Sequence, residues 1–414
     1  MARPQLDPTF DSHLGTMPPI GLSTLWHRAF SGGGVAALRE DLIRRLEQGP
    51  DSYAMLDMTH ILQLEFQRAA AMKLQAITLK SQQLYRLAQA RAPRALRLLL
   101  LKATGDLMSN TPVELLLDDY DLTVDVLYVT AGVPLPTTLP DHDVLMVAVA
   151  ESAANRALLA ELARVLADWP RPVLNQPAQI ASLSRDTCFR TLSGIPQVVM
   201  PATVRVARGA LLQLARGQIA AHTLLAHGQL PLIVRPIDSH AGQGLIKLEH
   251  TAQLPPYLAE HDAAYFFISR FIDYASPDGL FRKFRVALIG GRPHLCHLGI
   301  SSHWMVHYPY EEMLAEEARR AEEARLMQTF AHDFARRHGP ALAAIQQRVG
   351  LDYVGMDCAE LPDGRLLIFE MSSAMLVHRM DPETLFPYKP PHMSAVFATF
   401  YRLLESVAGR VART

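Results

Sequence analysis

Two tight-turn signals, Gly290-Gly291 and Pro362-Asp363-Gly364, each stand between apolar, β-branched or aromatic runs, and they constrain this chain more than any other feature. Turns of this kind join neighbouring antiparallel strands. From Leu232 onward the pattern therefore predicts strand, glycine loop, strand, helix, strand and then hairpins. A helical stretch rich in Glu, Ala and Arg over 311–348 reads as a solvated face, and a last helix over 392–410 closes the chain.

Upstream the periodicity differs. The first twenty residues, with four prolines, read as an irregular arm. Segments 34–48 and 52–92 carry apolar residues at helical spacing and predict paired helices. After Ala92-Pro93 come short apolar runs at 95–102, 124–130 and 143–149, bounded by Gly, Pro, Asp or Asn, which is the alternation of an α/β sheet. A helix over 151–168 and another from about Ala178 to Leu192 follow. The expected fold class is α/β and α+β. The expected division is an arm and helical domain over 1–93, an α/β domain over 94–200, and a module of two α+β subdomains over 201–414.

At 414 residues the chain exceeds one simple core, given about 100 to 200 residues per domain. Forty Lys and Arg nearly cancel 41 Asp and Glu, so net charge indicates neither a polyanionic partner nor an acidic substrate. Cys188, Cys296 and Cys358 lack CxxC spacing and argue against a disulfide framework or a cysteine zinc site. The N-terminal residues lack the pattern of a secretion signal, and no window approaches the ~18 to 20 apolar residues of a membrane span. These features lead to the expectation of a cytoplasmic protein without nucleic-acid or membrane partners, with a homodimer as the default assembly.

Four elements carry candidate chemistry. In LIVRPIDSHAGQGLIKL, 232–248, a strand delivers Arg235 to a loop holding Ser239, His240, Gly242, Gln243 and Gly244. Such a loop can turn backbone N–H groups towards phosphate, and the alternative is a plain turn. In YFFISRFIDY, 265–274, the backbone of Ser269, Arg270 and Phe271 could edge an adenine and Asp273 accept a ribose hydroxyl, although buried strands commonly look like this. In DYVGMDCAEL and RLLIFEMSS, Asp357 and Glu370 fall on neighbouring antiparallel strands in apolar company. Paired carboxylates invite Mg²⁺, and the alternative is ion pairing with Lys or Arg. In the stretch 281–308, alternation sends Lys283 and Arg285 to one face, where cations could neutralise a transferring phosphoryl group or an oxyanion. His294, His297, His303 and His307 lack clean metal spacing and read as hydrogen-bonded or surface groups, while Ser302, His303 and Trp304 could line a pocket.

Taken in order over roughly 95–378, with Asn175, Pro177, Arg185-Asp186, Leu192, Gly194-Ile195, Pro201 and Thr203 before them, these elements resemble the ATP-grasp superfamily, in particular glutathione synthetases and RimK-type ligases. The resemblance implies an ATP-grasp fold behind a pre-grasp domain, with ATP and Mg²⁺ as cofactors. It implies Arg235 in place of a phosphate-binding lysine, a phosphate loop over Ser239–Gly244, an adenine hinge at Ser269-Arg270, and a catalytic Arg285. Asp357 and Glu370 would be metal ligands, with Ser372 in the position usual for Asn. Thr187 replaces a second lysine, for which Arg205 or Arg208 could compensate, and Lys283 replaces an acidic residue. The implied reaction joins a carboxylate to an amine through an acyl phosphate, with a peptide or small-molecule carboxylate as substrate. The alternatives are a kinase of the same fold and a degenerate nucleotide-binding interaction protein.

Overall fold

The structure, a computed structural model, describes residues 4–7, 10, 18–30, 32–92, 94–239, 242–306 and 310–409. The chain divides into two compact units. One gathers the residues up to Ala181, Leu351–Val354 and the segment from Ser373 onward; the other gathers Ser182–Gly350 and Gly355–Ser372. This partition differs from three consecutive segments, because the N-terminal helical region and the α/β sheet share one unit and the C-terminal helix, Lys389–Val407, returns to it.

In the first unit, β1 (Gln5–Asp7) pairs parallel with Thr138–Pro140, so part of the expected irregular arm is a strand. Four helices follow: α1 (Leu22–Phe30), α2 (Ala36–Gln48), α3 (Ser52–Leu64) and α4 (Arg68–Ser81). They pack through Leu25, Leu42, Ala54 and Ile61, all fully buried. Asp51 caps α3 by accepting the Ala54 N–H at 2.9 Å, satisfying one of the orphan donors of the first turn.

Helical periodicity over 52–92 ends early, because Leu84–Ala88 is strand β2, antiparallel to a neighbour in the main sheet. Tyr85 there is fully buried, and pairing outweighs local helical spacing. The remaining strands are β3 (Leu96–Ala103), β4 (Leu122–Val129), β5 (Thr138–Pro140), β6 (Val144–Val147) and β7 (Val173–Leu174). The sheet order is β2-β4-β3-β6-β7, parallel from β4 to β7. Strand β3 is buried on both faces, as a central parallel strand must be. Helix α5 (Arg156–Val165) is shorter than the expected 151–168, and the expected helix from Ala178 to Leu192 is divided into α6 (Pro177–Ala181) and α7 (Arg185–Leu192).

The second unit is α+β, with two sheets. Strands β8 (Val198–Val199), β9 (Thr203–Ala207), β10 (Leu232–Pro236), β11 (Ile246–Leu248) and β12 (Tyr265–Arg270) are followed by the hairpins β13 (Phe281–Ile289) with β14 (Arg292–Ser301) and β15 (Tyr353–Glu360), which counts in this unit from Gly355, with β16 (Leu366–Ser372). One sheet runs β11-β10-β12-β9, entirely antiparallel; the other runs β14-β13-β15-β16-β8. Both predicted turns are present. Gly290 and Gly291 have φ of 55° and 77°, which suits a two-residue hairpin whose central residues are left-handed. Helices α8 (Arg208–Ala215), α9 (Ala221–Leu224) and α10 (Leu254–Glu260) accompany the first sheet, whose core includes Leu211, Leu232, Leu254 and Phe266.

The stretch 311–348 is four helices rather than one: α11 (Tyr310–Ala315), α12 (Glu317–Thr329), α13 (Phe334–Arg337) and α14 (Gly339–Val349). Its charges are not all solvated. Glu323 is fully buried and accepts the Leu298 N–H at 2.9 Å, while Arg319 donates to the Ile300 carbonyl at 2.8 Å. Among the described residues no helix is long and apolar enough to cross a membrane.

Candidate functional site

The two hairpins of the second unit place four charged side chains together. Asp357 on β15 lies directly opposite Glu370 on β16, and the register slips by one residue immediately beyond that pair. A second slip separates Arg285 from Val286 opposite β14. The extra residues, Phe369 on β16 and Cys296 on β14, are left unpaired, and such bulges bend the strand that carries them. From β13, next to β15 in this sheet, Arg285 Nε donates to Asp357 Oδ1 at 2.8 Å and Arg285 Nη2 to Oδ2 at 3.1 Å. Lys283 Nζ lies 3.1 Å from the same Oδ2. The expectation that Lys283 and Arg285 share a face is met in the geometry.

Asp357 is only 2% exposed. Burial pushes its carboxyl up, but the Arg285 and Lys283 charges outweigh that and hold it far below the usual carboxylate range. Glu370 pairs with Arg185 of α7, whose guanidinium also reaches the Phe369 carbonyl at 3.3 Å. Burial raises Glu370, yet Arg185 and Arg235 bring it below its ordinary value against the opposing charge of Asp357.

Arg235 joins this cluster from the other sheet. It is 7% exposed, its Nε donates to Ser239 Oγ at 3.0 Å, and its guanidinium donates to the Ser239 carbonyl. Burial and the nearby Arg185 charge lower its pKa to about 9, partly offset by Glu370. The loop after it is built from left-handed backbone at Asp238, Gly242 and Gly244, with φ of 58°, 72° and 63°. A Cβ on Gly244 would lie 2.8 Å from Pro236 Cδ, and Tyr257 donates its hydroxyl to the Gly244 carbonyl at 2.7 Å. Gln243 is exposed, and His240 lies outside the described residues, as does His307.

At the proposed hinge, Ser269 and Arg270 end β12 opposite Ile233 and Leu232. The Arg270 N–H donates to the Ala202 carbonyl at 3.3 Å and the Phe271 N–H to the Pro231 carbonyl at 3.4 Å, so both donors are engaged within the protein. Phe271 carries the Lys247 ammonium 4.3 Å from its ring centre and meets Trp304 edge-on at 5.7 Å. Asp273 is exposed and accepts the Ala275 N–H at 3.0 Å, the local bond of a turn. Ser302 Oγ stands 3.0 Å from His303 Nδ1 and donates to Glu312 at 2.9 Å.

The sequence offered Arg185 only as one of the residues that carry the resemblance and not as a site residue; 185 positions separate it from Glu370, so no local spacing announces the pair. Lys247 was missed for a similar reason, since its partner ring lies on another segment. Neither suggested substitute for a lysine at Thr187 is uncommitted. Arg208 donates to the carbonyls of His261 at 2.6 Å and of Leu258, at the end of α10, and Arg205 lies 3.6 Å from Asp186.

The donor set fits a protein-held Mg²⁺ poorly. Both oxygens of Asp357 are taken by protein cations and Glu370 is paired with a third, while Ser372 brings only a neutral hydroxyl two positions along β16 from Glu370. Among the described residues no group of three His, Cys, Asp or Glu is placed to hold a metal ion. What the cluster offers is positive charge against a close-approach loop, the features of a phosphate site.

No protein-family model and no curated protein matches the sequence. Among solved structures, the chain is similar to a RimK domain ATP-grasp protein from Sphaerobacter thermophilus at 15% identity, covering 74% of this chain and 99% of that one with a TM-score of 0.41. It is also similar to D-alanine–D-alanine ligase from Bacillus anthracis complexed with ATP, at 12% identity, covering 77% of this chain and 100% of that one with a TM-score of 0.40.

Proposed function

We propose that the second unit binds ATP and uses it to ligate a carboxylate to an amine. The observation that supports this best is the convergence of Arg185, Arg235, Lys283 and Arg285 on Asp357 and Glu370, beside a loop of left-handed backbone. In this reading Arg235 and the loop through Gly244 hold the polyphosphate. Arg285, fixed in orientation by Asp357, and Lys283 neutralise charge on the group in transit. Phosphoryl transfer needs little covalent help from the protein, so positioning and charge suffice.

The reaction balances as follows. A carboxylate oxygen takes the γ-phosphoryl group and ADP departs. The amine nitrogen then attacks the carbonyl carbon, phosphate leaves with that oxygen, and the amine proton passes to solvent. The product is an amide or peptide bond.

Hydroxylamine provides the test, because it replaces the unknown amine and leaves a hydroxamate whose iron(III) complex is coloured. The whole protein is incubated with ATP, hydroxylamine and a panel of amino acids and short peptides as carboxylates. Hydroxamate formed together with ADP and free phosphate supports the ligase. ADP without free phosphate would instead identify a kinase, and the absence of both ADP formation and ATP binding would remove the nucleotide reading.

A further inference from the structure

The second unit's charge cluster carries more cation than its carboxylates can neutralise. Arg185, Arg235, Lys283 and Arg285 are four positive side chains against Asp357 and Glu370, which leaves two positive charges uncompensated; the adjacent Arg205 and Asp186 offset each other. Arg235 and Asp357 are buried and Lys283 is 12% exposed at its side chain, while Arg185 and Glu370 are 23% and 34% exposed, so solvent screens the inner part of the cluster weakly and its rim more.

We infer that this cluster is an anion-first site: it binds the polyphosphate of a nucleotide without a divalent cation already in place, with Lys283 and Arg285 supplying at Asp357 the charge a metal ion would bring. The inference rests on the nucleotide reading of the same site. A divalent ion reaching Asp357 would have to displace two Arg285 hydrogen bonds, at 2.8 and 3.1 Å, and the Lys283 contact at 3.1 Å. It would leave those cations buried beside a further positive charge, and Mg²⁺ in addition gives up its waters reluctantly. A polyphosphate meets the opposite situation. Its oxygens can accept from Lys283, Arg185 and Arg235 while the Arg285–Asp357 pair stays intact.

Lys283 decides the matter, because it faces the same Oδ2 as Arg285 from two residues away on β13. An acidic side chain there would make a carboxylate pair with Asp357 and lower the net charge by two.

The test is calorimetric titration of the whole protein with ATP in EDTA and in excess Mg²⁺, together with Mn²⁺ titration without nucleotide, followed by the loss of free Mn²⁺ resonance. ATP should saturate the protein in EDTA with an affinity within about tenfold of that in Mg²⁺, and Mn²⁺ alone should not bind. Lys283→Met should weaken ATP binding in EDTA by about tenfold or more, and Lys283→Glu should weaken it further and create Mn²⁺ binding, each with melting curves as the folding control. ATP binding that requires Mg²⁺, or saturable Mn²⁺ binding by the unaltered protein, overturns the inference and leaves the nucleotide reading standing. ATP binding in neither buffer removes both.

Discussion

Arg285 holds both carboxylate oxygens of Asp357 from a neighbouring strand, and Lys283 adds a third contact to the same group. Asp357 is therefore the counter-ion of two cations and part of what lets them be buried. A carboxylate whose only task is to hold a metal can be neutralised without harm to the fold; the geometry here predicts otherwise. Asp357→Asn leaves Arg285 and Lys283 without their negative partner, and breaking a buried pair in this way costs about 3–5 kcal/mol. Urea denaturation of Asp357→Asn should show that loss, whereas Lys283→Met, which removes one cation of a cluster with two in excess, should cost much less. Equal midpoints for Asp357→Asn and the unaltered protein would show that the pair carries no stability.

Gly244 makes a second prediction, in the loop beside Arg235. Its φ is 63°, and a Cβ would meet Pro236 at 2.8 and 3.0 Å, a ring that cannot rotate away. Gly244→Ala must then shift the loop and weaken the hydrogen bond from Tyr257. A left-handed alanine alone costs about 1 kcal/mol or more. ATP affinity should fall while the melting temperature changes little, because the loop is a local feature. Unchanged ATP affinity in Gly244→Ala would show that the loop takes the extra carbon without moving the backbone that faces phosphate.

Two buried groups one turn apart on α3 give the pH dependence. Asp57 accepts the N–H groups of Ile20 at 2.6 Å and Gly21 at 3.1 Å, yet burial pushes its carboxyl up from 3.8 to about 6. His60 is held down from 6.5 to about 4 by burial and the nearby Lys102 charge. Below pH 6 folded Asp57 keeps a proton that the unfolded chain releases, so its contribution to stability declines as pH rises from 4 to 6. His60 behaves oppositely: the unfolded chain takes a proton below 6.5 that the folded one refuses, so stability declines as pH falls from 6.5 to 4. Each effect is about 3 kcal/mol and the two oppose each other. Asp57→Asn should unmask the His60 slope and His60→Gln the Asp57 slope, read as urea midpoints against pH relative to the unaltered protein. Parallel slopes in the two variants would sink the assignment.

How much of this was legible in the sequence follows from which forces are local. The hairpin turns at Gly290-Gly291 and around Gly364 are backbone requirements of single residues, so they could be read directly. The Asp357–Glu370 opposition follows from strand alternation across a short turn, and the structure bears it out in register. The strand at Leu84–Ala88 was hidden because Tyr85 is buried by a partner strand some forty positions away, and helical spacing says nothing of that partner. Arg185 was invisible as a site residue for the same reason. The two bulges, at Cys296 and Phe369, left no turn residue to announce them.

Asn175 supports the longest-range prediction. It is fully buried with φ of 55°, a left-handed conformation that Asn tolerates better than most residues. Its amide donates to the Tyr353 carbonyl at 2.9 Å and accepts the Tyr353 N–H at 2.9 Å, while its own N–H donates to Asp352 at 2.8 Å. One side chain thus imitates a strand neighbour for a residue 178 positions away, within the first unit. Asn175→Ala loses both amide bonds, about 1–3 kcal/mol each for groups left buried, and adds the left-handed penalty of about 1 kcal/mol. Asn175→Gly loses the same bonds and avoids the strain, so it should be the milder of the two by about 1 kcal/mol; Asn175→Asp keeps an acceptor, loses the donor and buries a charge. Denaturation midpoints of the three variants give the ranking. If Gly and Ala are equally damaging, backbone strain has no part in the cost, and if neither is damaging, the amide does not hold Tyr353 in place.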